Sequence, residues 1–478
     1  METLNVEVAI IGAGSAGMRA YREVRQVTDS VLIIEGSAYG TTCARVGCMP
    51  SKLLIAAAEA AHHGRTADLF GVHFGTARID GTAVMNRVRS ERDRFVDFVV
   101  EAVESWPSEH RVMAKGRFRS DNELELSDGR VVRAERIVIA TGSRTNVLSI
   151  FEDFGDRMIV NDDVFDWEAL PGSVAVFGAG VIGLELGQAL HKLGVRVSIF
   201  GRGNLVGPIS DPEVRASALS VFTGEMDFHP DAEVTDRARQ DEGVSVEYVV
   251  NGQTCTARFD YALVATGRRP NVDDLGLEAT SLARDARGVP LYDFFTGRCG
   301  DSHIFIAGDA NDRFPLLHEA ADEGMAAGYN AARYPDIRRF RKSAPISVVF
   351  SDPQIMIAGE GYDALTSRSA DFATGRVDWS DQGRARVMGA GQGTLRVYGE
   401  RNTGKFLGAE MVGPRAEHIA HLLAWARQSD LTVPEMLERP FYHPVLEEGV
   451  RTALRDLNAA LEMGPRTPPR CLDCGPGG

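Results

Sequence analysis

One glycine-rich pattern occurs twice in this sequence, and the duplication constrains the fold more than any other feature. The first copy runs from the apolar segment VEVAIIG through a glycine turn and a helical pattern to a second apolar run, VLIIE. The second copy begins about 165 residues later, in VAVFGAGVIG, with the same order of strand, glycine turn and helix. The glycines are Gly12, Gly14 and Gly17 in the first copy and Gly178, Gly180 and Gly183 in the second. This order is typical of a βαβ unit that binds a dinucleotide.

The two units together predict two different dinucleotides. In each unit the glycines would let the backbone approach a pyrophosphate, which would lie at the helix N-terminus where unpaired N–H groups point. Glu35 ends the second strand of the first unit, about 20 residues after Gly12, and can accept hydrogen bonds from ribose hydroxyls. Two such units in one chain typically bind a flavin and a diffusing nicotinamide coenzyme.

The second unit gives conflicting indications about its coenzyme. Its second strand ends at Gly201 and Arg202, with no carboxylate for a 2′-hydroxyl and with a guanidinium that could meet a 2′-phosphate. Gly183 and Gly187, however, permit the close helix–strand packing that is more usual in NAD sites. Arg202 could equally be a solvated loop charge. We expect NAD as the coenzyme, with NADP as the open alternative.

Charge and cysteine content restrict the class of protein. The net charge of −15 disfavours binding to nucleic acid, whose phosphates attract clustered Lys and Arg. No basic segment precedes an apolar run at the start, and no apolar stretch is long enough to span a bilayer, so neither a secretory signal nor a membrane partner is expected. Six cysteines in 478 residues are too few for a disulfide scaffold. We therefore expect a cytoplasmic protein in which any disulfide is catalytic.

Two of the cysteines, Cys43 and Cys48, lie five positions apart in GTTCARVGCMPSK. A zinc site would need four convergent ligands, and no histidine is near the pair in the sequence, so we expect no metal site. Two inert, buried cysteines would fit poorly beside the charged residues Arg45 and Lys52. These neighbours favour thiolate over thiol, as does the N-terminus of the helix predicted to follow.

The geometry of a regular helix would prevent a disulfide between these two cysteines. Residues five apart on a regular helix are separated by about 7.5 Å along its axis, beyond the ~7 Å limit between the Cα atoms of a disulfide. A bridge between Cys43 and Cys48 therefore requires a distorted backbone. Gly47 supplies the conformational freedom, and Pro50 removes one helical hydrogen bond. We interpret the pair as redox-active, because a small and strained ring is easily reduced.

Several segments together carry a resemblance to a known family. They are TCARVGCMPSK, GAGSAG, ATGS, GAGVIGLELG, ATGRRPN, IAGDAN, LLHEAADEG and FYHPVLEEGVRTAL. From about residue 5 to 460, the chain resembles the pyridine nucleotide–disulfide oxidoreductases, and among them the dihydrolipoamide dehydrogenases. The resemblance implies an α/β fold with two Rossmann-like domains, for FAD and NAD(P), plus a C-terminal α+β dimerisation domain that forms a homodimer.

The implied domains follow one another along the chain. They are an FAD-binding segment (1–147), an NAD(P)-binding domain (148–269), a second FAD-binding or central segment (270–343) and a dimerisation domain (344–463). The remaining residues, 464–478, are rich in Pro and Gly and predict a flexible tail, which contains Cys471 and Cys474.

The resemblance also implies which residues line the cofactors. FAD would contact Gly12, Gly14, Gly17, Glu35, Lys52, Gly116, Thr141, Gly142, Ser143, Asp309 and His318. The nicotinamide coenzyme would contact Gly267, in addition to Gly178, Gly180, Gly183 and Arg202, which the second glycine pattern itself indicates. Glu185 would pair with Lys52 beside the flavin.

Four residues are implied as catalytic. Cys48 would face the flavin, Cys43 would exchange with substrate, and His443 would move a thiol proton at the disulfide of the other subunit. Glu448 would orient His443, and a histidine with a pKa near neutrality, paired with a carboxylate, suits this task. The segment HPVLEE replaces the usual HPTLSE, and Gly201 replaces a usual glutamate, so substrate and coenzyme stay open.

The predicted function is the FAD-dependent oxidation of dihydrolipoamide to lipoamide with NAD(P)+, in two half-reactions with ping-pong kinetics. The partner would be a lipoyl-bearing protein or a small disulfide, and a 2-oxoacid dehydrogenase or related complex is a candidate. One alternative is an NADPH-dependent reductase of another disulfide or of a metal ion, with Cys471 and Cys474 as an electron relay. A second alternative is a flavin-loaded scaffold subunit of a larger complex.

Overall fold

The computed structural model describes residues 2–75 and 78–462. The tail 464–478, with Cys471 and Cys474, lies outside the described residues. The first strands are β1 (Thr3–Ile11), β2 (Val31–Glu35), β3 (Arg111–Met113), β4 (Gly116–Ser120), β5 (Glu123–Leu126), β6 (Val131–Ile139) and β7 (Ser143–Thr145). They are followed by β8 (Met158–Ile159), β9 (Ser173–Phe177), β10 (Arg196–Phe200), β11 (Asp227–His229), β12 (Glu233–Gln240), β13 (Gly243–Val250), β14 (Gln253–Phe259), β15 (Tyr261–Val264), β16 (Arg268–Pro270) and β17 (Ile304–Ile306). The last strands are β18 (Ile346–Val349), β19 (Gln354–Gly359), β20 (Phe372–Asp378), β21 (Thr394–Glu400) and β22 (Phe406–Gly413).

The α-helices alternate with these strands in the first two-thirds of the chain. Those in that part are α1 (Ser15–Val24), α2 (Thr42–Val46), α3 (Cys48–Thr66), α4 (Gly81–Glu104), α5 (Asn161–Val164), α6 (Val181–Lys192), α7 (Pro212–Glu225) and α8 (Leu317–Arg333). The C-terminal part contains α9 (Tyr362–Ser367), α10 (Gly383–Val387), α11 (Ala416–Gln428), α12 (Val433–Leu437) and α13 (Glu447–Ala460). None of the described helices is both long and apolar enough to cross a membrane.

The first glycine pattern lies in a seven-stranded sheet with the order β3-β2-β1-β6-β5-β4, in which β17 also pairs with β6. β1, β2, β3, β6 and β17 are parallel, and their apolar runs are buried because α1 and α8 cover one face of the sheet and residues 272–299 pack against the other. α1 and α8 pack closely, since a Cβ at Gly324 of α8 would lie only 2.2 Å from the carbonyl oxygen of Ala16. The sheet therefore combines two separate parts of the chain, before and after the second glycine pattern.

The second glycine pattern lies in a parallel sheet with the order β11-β10-β9-β15-β8. A three-stranded antiparallel sheet, β12-β13-β14, packs against it through aromatic residues that include Phe177, Phe200 and Phe259. The chain enters and leaves this region through β7 and β16, which pair with each other antiparallel. The second unit is thus connected to the first by two adjacent strands.

The C-terminal part is an antiparallel sheet with the order β18-β19-β22-β21-β20. The alternating pattern after about residue 345 predicted such strands, and the amphipathic segment EHIAHLLAWARQ lies in α11. Its core includes Trp379, Phe406 and Leu454, all fully buried. The predicted fold class, two α/β nucleotide-binding units followed by an α+β domain, is confirmed.

Candidate active site

Cys43 and Cys48 lie on the two sides of a helix break. α2 ends at Val46, Gly47 adopts φ −129° and ψ −116°, and Cys48 begins α3. A Cβ at Gly47 would lie 3.3 Å from the Cα of Cys43, so the break folds the chain back against the first cysteine. The distortion that a Cys43–Cys48 bridge requires is therefore present.

The two cysteines are free thiols that hydrogen-bond to each other. The hydrogen bond from the Cys43 thiol lowers the pKa of Cys48 to about 7, and the nearby charge of Lys52 acts in the same direction. The same hydrogen bond, together with burial, raises the pKa of Cys43. Near neutral pH the reduced pair therefore concentrates negative charge on Cys48, at the N-terminus of α3.

Lys52, one turn into α3, forms an ion pair with Glu185 of α6. The Nζ–Oε2 distance is 2.7 Å, and Glu185 is buried. The other carboxylate oxygen of Glu185 accepts a hydrogen bond from the backbone N–H of Phe350 at 2.9 Å, and Lys52 Nζ lies 4.5 Å from the centre of the Phe350 ring. Three parts of the chain meet at this pair: the cysteine helix, the second glycine unit and the C-terminal part.

The first glycine turn is shaped to receive a pyrophosphate. Gly12 has φ +105°, and a Cβ there would lie 2.3 Å from the carbonyl oxygen of Ala140. Gly14 caps α1 without any side-chain hydrogen bond, and nothing lies within 4 Å of the position of a Cβ there. Glu35 accepts a hydrogen bond from the N–H of Ala13 at 2.9 Å, so its carboxylate lies beside the turn. These features fit a dinucleotide such as FAD.

Other residues that the resemblance assigns to FAD lie at the carboxyl ends of β6 and β17. Ser143 donates a hydrogen bond to Asp309 at 2.6 Å and accepts one from Arg268 at 2.8 Å. Thr141 donates to the carbonyl of Asn271 at 2.7 Å, while Gly142 has φ +70°. The carboxyl edge of a parallel sheet is where ligands bind in such folds.

Gly116 and His318 are the two other residues that the resemblance assigns to FAD. Gly116 begins β4, and a Cβ there would lie 3.5 Å from Ile34, which precedes Glu35. His318 is in the first turn of α8 and about half exposed. The turn that carries Asp309 lies close to α1 and α8, since a Cβ at Gly308 would lie 3.0 Å from the Cβ of Ala16 and 3.2 Å from that of Ala320.

The second glycine turn repeats the geometry of the first. Gly178 has φ +117°, a Cβ at Gly183 would lie 1.9 Å from the Gly178 carbonyl oxygen, and the space around Gly180 is open. Gly267 has φ +102° and also faces open space. This turn fits a second dinucleotide such as NAD(P).

The end of β10 differs from a usual NAD site in its packing. A Cβ at Gly201 would lie 2.8 Å from the carbonyl oxygen of Pro230, so this position has no room for a side chain. Arg202 is exposed and has no ion-pair partner within residues 2–75 and 78–462. The end of β10 itself thus carries no carboxylate, and the acid that the structure places at this loop is Asp231, which accepts a hydrogen bond from the N–H of Gly203 at 2.7 Å.

His443 and Glu448 form a hydrogen-bonded pair at the start of α13. The distance from His443 Nδ1 to Glu448 Oε2 is 3.0 Å, and this contact lowers the pKa of Glu448. With Nδ1 donating to the carboxylate, Nε2 is free to accept a proton. His443 is 80% exposed, and among the described residues of one chain it hydrogen-bonds to neither cysteine.

Sequence reasoning missed two side chains that hold these segments. Gln382 donates from Nε2 to the carbonyl of Val445 at 2.9 Å, next to the His443 segment. Asn161 donates to the carbonyl of Val46, between the two cysteines. Only the second of these contacts had a signal in the sequence. Pro50 has no N–H, so the carbonyl four residues earlier, that of Val46, lacks its helical donor.

Comparison with known proteins covers nearly the whole chain. Residues 6–324 match the family model "Pyridine nucleotide-disulphide oxidoreductase", and residues 346–454 match the dimerisation domain of that family. A dihydrolipoyl dehydrogenase of Haloferax volcanii is 30% identical over 470 residues, which are 94% of this chain and 95% of that protein. A mercuric reductase of Shigella flexneri is 28% identical over 470 residues, which are 96% of this chain and 82% of that protein. The crystal structure of LpdA from Mycobacterium tuberculosis has a TM-score of 0.79 at 24% identity, and the match covers 94% of this chain and 99% of that one.

Proposed function

Because the chain belongs to the pyridine nucleotide-disulphide oxidoreductases, which use FAD and NAD(P), we propose that it is a dihydrolipoyl dehydrogenase. It would oxidise dihydrolipoamide to lipoamide with NAD(P)+ by way of a disulfide between Cys43 and Cys48. The observation that supports this most strongly is the cysteine pair, whose thiols hydrogen-bond across a helix break. When bound, FAD supplies the two-electron chemistry that links the reduced pair to NAD(P)+.

The thiol chemistry follows from the asymmetry of the pair. A dihydrolipoyl thiolate attacks Cys43 of the disulfide, and the S–S bond breaks with Cys48 leaving as a thiolate. Lys52 and the N-terminus of α3 lie beside Cys48 and stabilise the negative charge of the leaving thiolate. The second substrate thiol then displaces Cys43, which yields lipoamide and a reduced pair that has gained two electrons.

His443 would manage the protons released in these steps. Its Nε2 accepts a proton from the substrate thiol, while Glu448 holds Nδ1 and stabilises the imidazolium that forms. Because His443 is exposed within its own chain, we propose that it completes the site of a second copy in a homodimer. The match to the family's dimerisation domain supports this arrangement.

We further propose that the two glycine units divide the cofactors between them. FAD would be held by the first unit, formed by 1–147 and 270–343, and the coenzyme by 148–269. The homodimer would act in the cytoplasm on a lipoyl-bearing protein, with a 2-oxoacid dehydrogenase or related complex as its candidate partner.

A second candidate function is the NADPH-dependent reduction of another disulfide or of a metal ion. The packed Gly201 and the free Arg202 favour NADP over NAD, and a mercuric reductase is among the relatives. A scaffold role without turnover is disfavoured, because such a role does not require a thiol pair with one lowered pKa.

The deciding experiment compares substrates on the flavin-loaded protein. Wild type should oxidise dihydrolipoamide with NAD+ or NADP+, whereas Cys43→Ser and Cys48→Ser should lose this activity while they retain FAD. Faster NADPH oxidation with Hg²⁺ or oxidised glutathione than with lipoamide would instead support the second candidate. A Cys471→Ser/Cys474→Ser variant then tests the relay, which unchanged turnover on each substrate would exclude.

A further inference from the structure

The helix break between the two cysteines leaves the carbonyl of Val46 without a helical partner. In a continuous helix this carbonyl would accept a hydrogen bond from the N–H of residue 50. Residue 50 is a proline, which has no N–H, and Val46 is also the last residue of α2. A carbonyl in this position needs a donor from elsewhere in the fold.

Asn161 supplies that donor. Its Nδ2 lies 2.9 Å from the Val46 oxygen, and the residue, which begins α5, is only 4% exposed. Its Oδ1 accepts a hydrogen bond from the Thr145 hydroxyl at 2.9 Å, and Nδ2 also donates to Asp162 at 2.8 Å. Both donors and the acceptor are therefore used, which fixes the orientation of the carboxamide.

Thr145 connects Asn161 to a rigid part of the fold. It is the last residue of β7, where it is the register partner of Arg268 in β16. The segment between the cysteines is thus attached, through one buried side chain, to the ribbon that joins the two nucleotide units. The other described hydrogen bonds of this segment are local, such as those of the Thr41 cap.

We propose that Asn161 is a positioning residue that sets the reduction potential of the Cys43–Cys48 pair, by holding the chain between the two sulfurs in the geometry a bridge requires. This proposal depends on the proposed function in one respect, since it takes the Cys43–Cys48 pair as redox-active. A disulfide tolerates Cα separations only up to about 7 Å, so a freed segment would bring the thiols together less often. Disulfide formation would become less favourable, and the potential would rise.

The test is a redox titration of the full-length, flavin-loaded protein. Wild type, Asn161→Ala and Asn161→Asp are equilibrated in buffers of reduced and oxidised dithiothreitol, and free thiols are trapped by alkylation and located by mass spectrometry. Each disulfide formed transfers two electrons and two protons from Cys43 and Cys48 to oxidised dithiothreitol. We expect a tenfold shift toward the dithiol in both variants, which corresponds to about 30 mV.

A second readout follows the contact between the sulfurs directly. In Asn161→Ala, the pH midpoint for alkylation of Cys48 should rise above that of wild type, because the hydrogen bond from Cys43 is weakened. A substitution that only lowered global stability would leave this midpoint unchanged in the folded protein.

Asn330→Ala is the matched control. Asn330 is also buried, and its side chain also holds backbone carbonyls, those of Thr296 and Arg338, both at 3.0 Å. This variant should lower the melting temperature without changing the potential. Equal shifts in potential in Asn330→Ala and Asn161→Ala would overturn the proposal, as would a wild-type potential in flavin-loaded Asn161→Ala.

Thr145→Val provides a milder test if the Asn161 variants do not fold. It removes only the hydroxyl that orients Asn161 and should shift the potential in the same direction, by less than tenfold. An unchanged potential there would also refute the role of Asn161. If wild type formed no Cys43–Cys48 disulfide in any buffer, the proposed function would fail as well.

Discussion

The hydrogen bond between the two thiols should control the acidity of Cys48, and replacing Cys43 tests this. In Cys43→Ala the donor is lost, and the pKa of Cys48 should return from about 7 toward the ordinary cysteine value of about 8.5. At pH 7, Cys48 would then change from half thiolate to about 3% thiolate. Because only the thiolate is nucleophilic, its fraction falls about fifteenfold, and since a more basic thiolate is also more reactive, alkylation at pH 7 should slow about threefold.

The assay is the rate of iodoacetamide modification of Cys48 between pH 5 and 10, followed by mass spectrometry of the Cys48 peptide. Cys43→Ser is the matched variant, because its hydroxyl can still donate to the Cys48 thiolate. We expect its midpoint to lie between those of wild type and Cys43→Ala. Since the thiolate form reacts, the rate should rise with pH through each midpoint and level off above it.

A midpoint near pH 7 in Cys43→Ala would refute this reasoning. It would mean that Lys52 and the N-terminus of α3, rather than the neighbouring thiol, lower the pKa of Cys48. Lys52→Met separates the two contributions, since it removes the cation while the thiol donor stays in place.

The remaining predictions concern the ion pair, the histidine and the coenzyme. Lys52→Met should also lower the free energy of unfolding by about 2 kcal/mol, because it leaves the buried Glu185 carboxylate without its cation. Thermal unfolding measures this loss, and part of the stability should return in Lys52→Met/Glu185→Leu. His443→Gln should reduce dihydrolipoamide turnover by a factor of about 10² or more with FAD still bound, and normal turnover would contradict the proton-transfer role. Arg202→Ala should raise the KM for NADP(H) severalfold and leave that for NAD(H) unchanged, whereas equal effects on both coenzymes would make Arg202 an ordinary surface charge.

The parts of the fold that depend on local sequence were predictable. Buried parallel strands appear as unbroken apolar runs, and Gly12 and Gly178 lie at positions of positive φ where the carbonyl of a neighbouring strand leaves no space for a Cβ. The helix break at Gly47 was predictable for a similar reason, since bridge geometry excludes a regular helix between Cys43 and Cys48.

Contacts between distant parts of the chain were not predictable from local pattern. The Lys52–Glu185 pair was expected only from the family resemblance, because its members lie on helices of different units. Nothing around Asn161 indicates that it reaches Val46, because the contact depends on how α5 packs beside α2. The packing of Gly201 against Pro230 likewise depends on the position of β11.

The pairing of β7 with β16 suggests how such a protein can change its coenzyme without rebuilding its flavin half. Ser143 and Pro270 are register partners, so the second unit is an insertion whose two ends are adjacent, a geometry that tolerates exchange of the inserted module. A transplanted module would have to preserve two links to the cysteine helices, those of Glu185 and Asn161. Chimeras with a foreign coenzyme domain should therefore still oxidise and reduce the Cys43–Cys48 pair if they retain both residues, and should lose this ability if they do not.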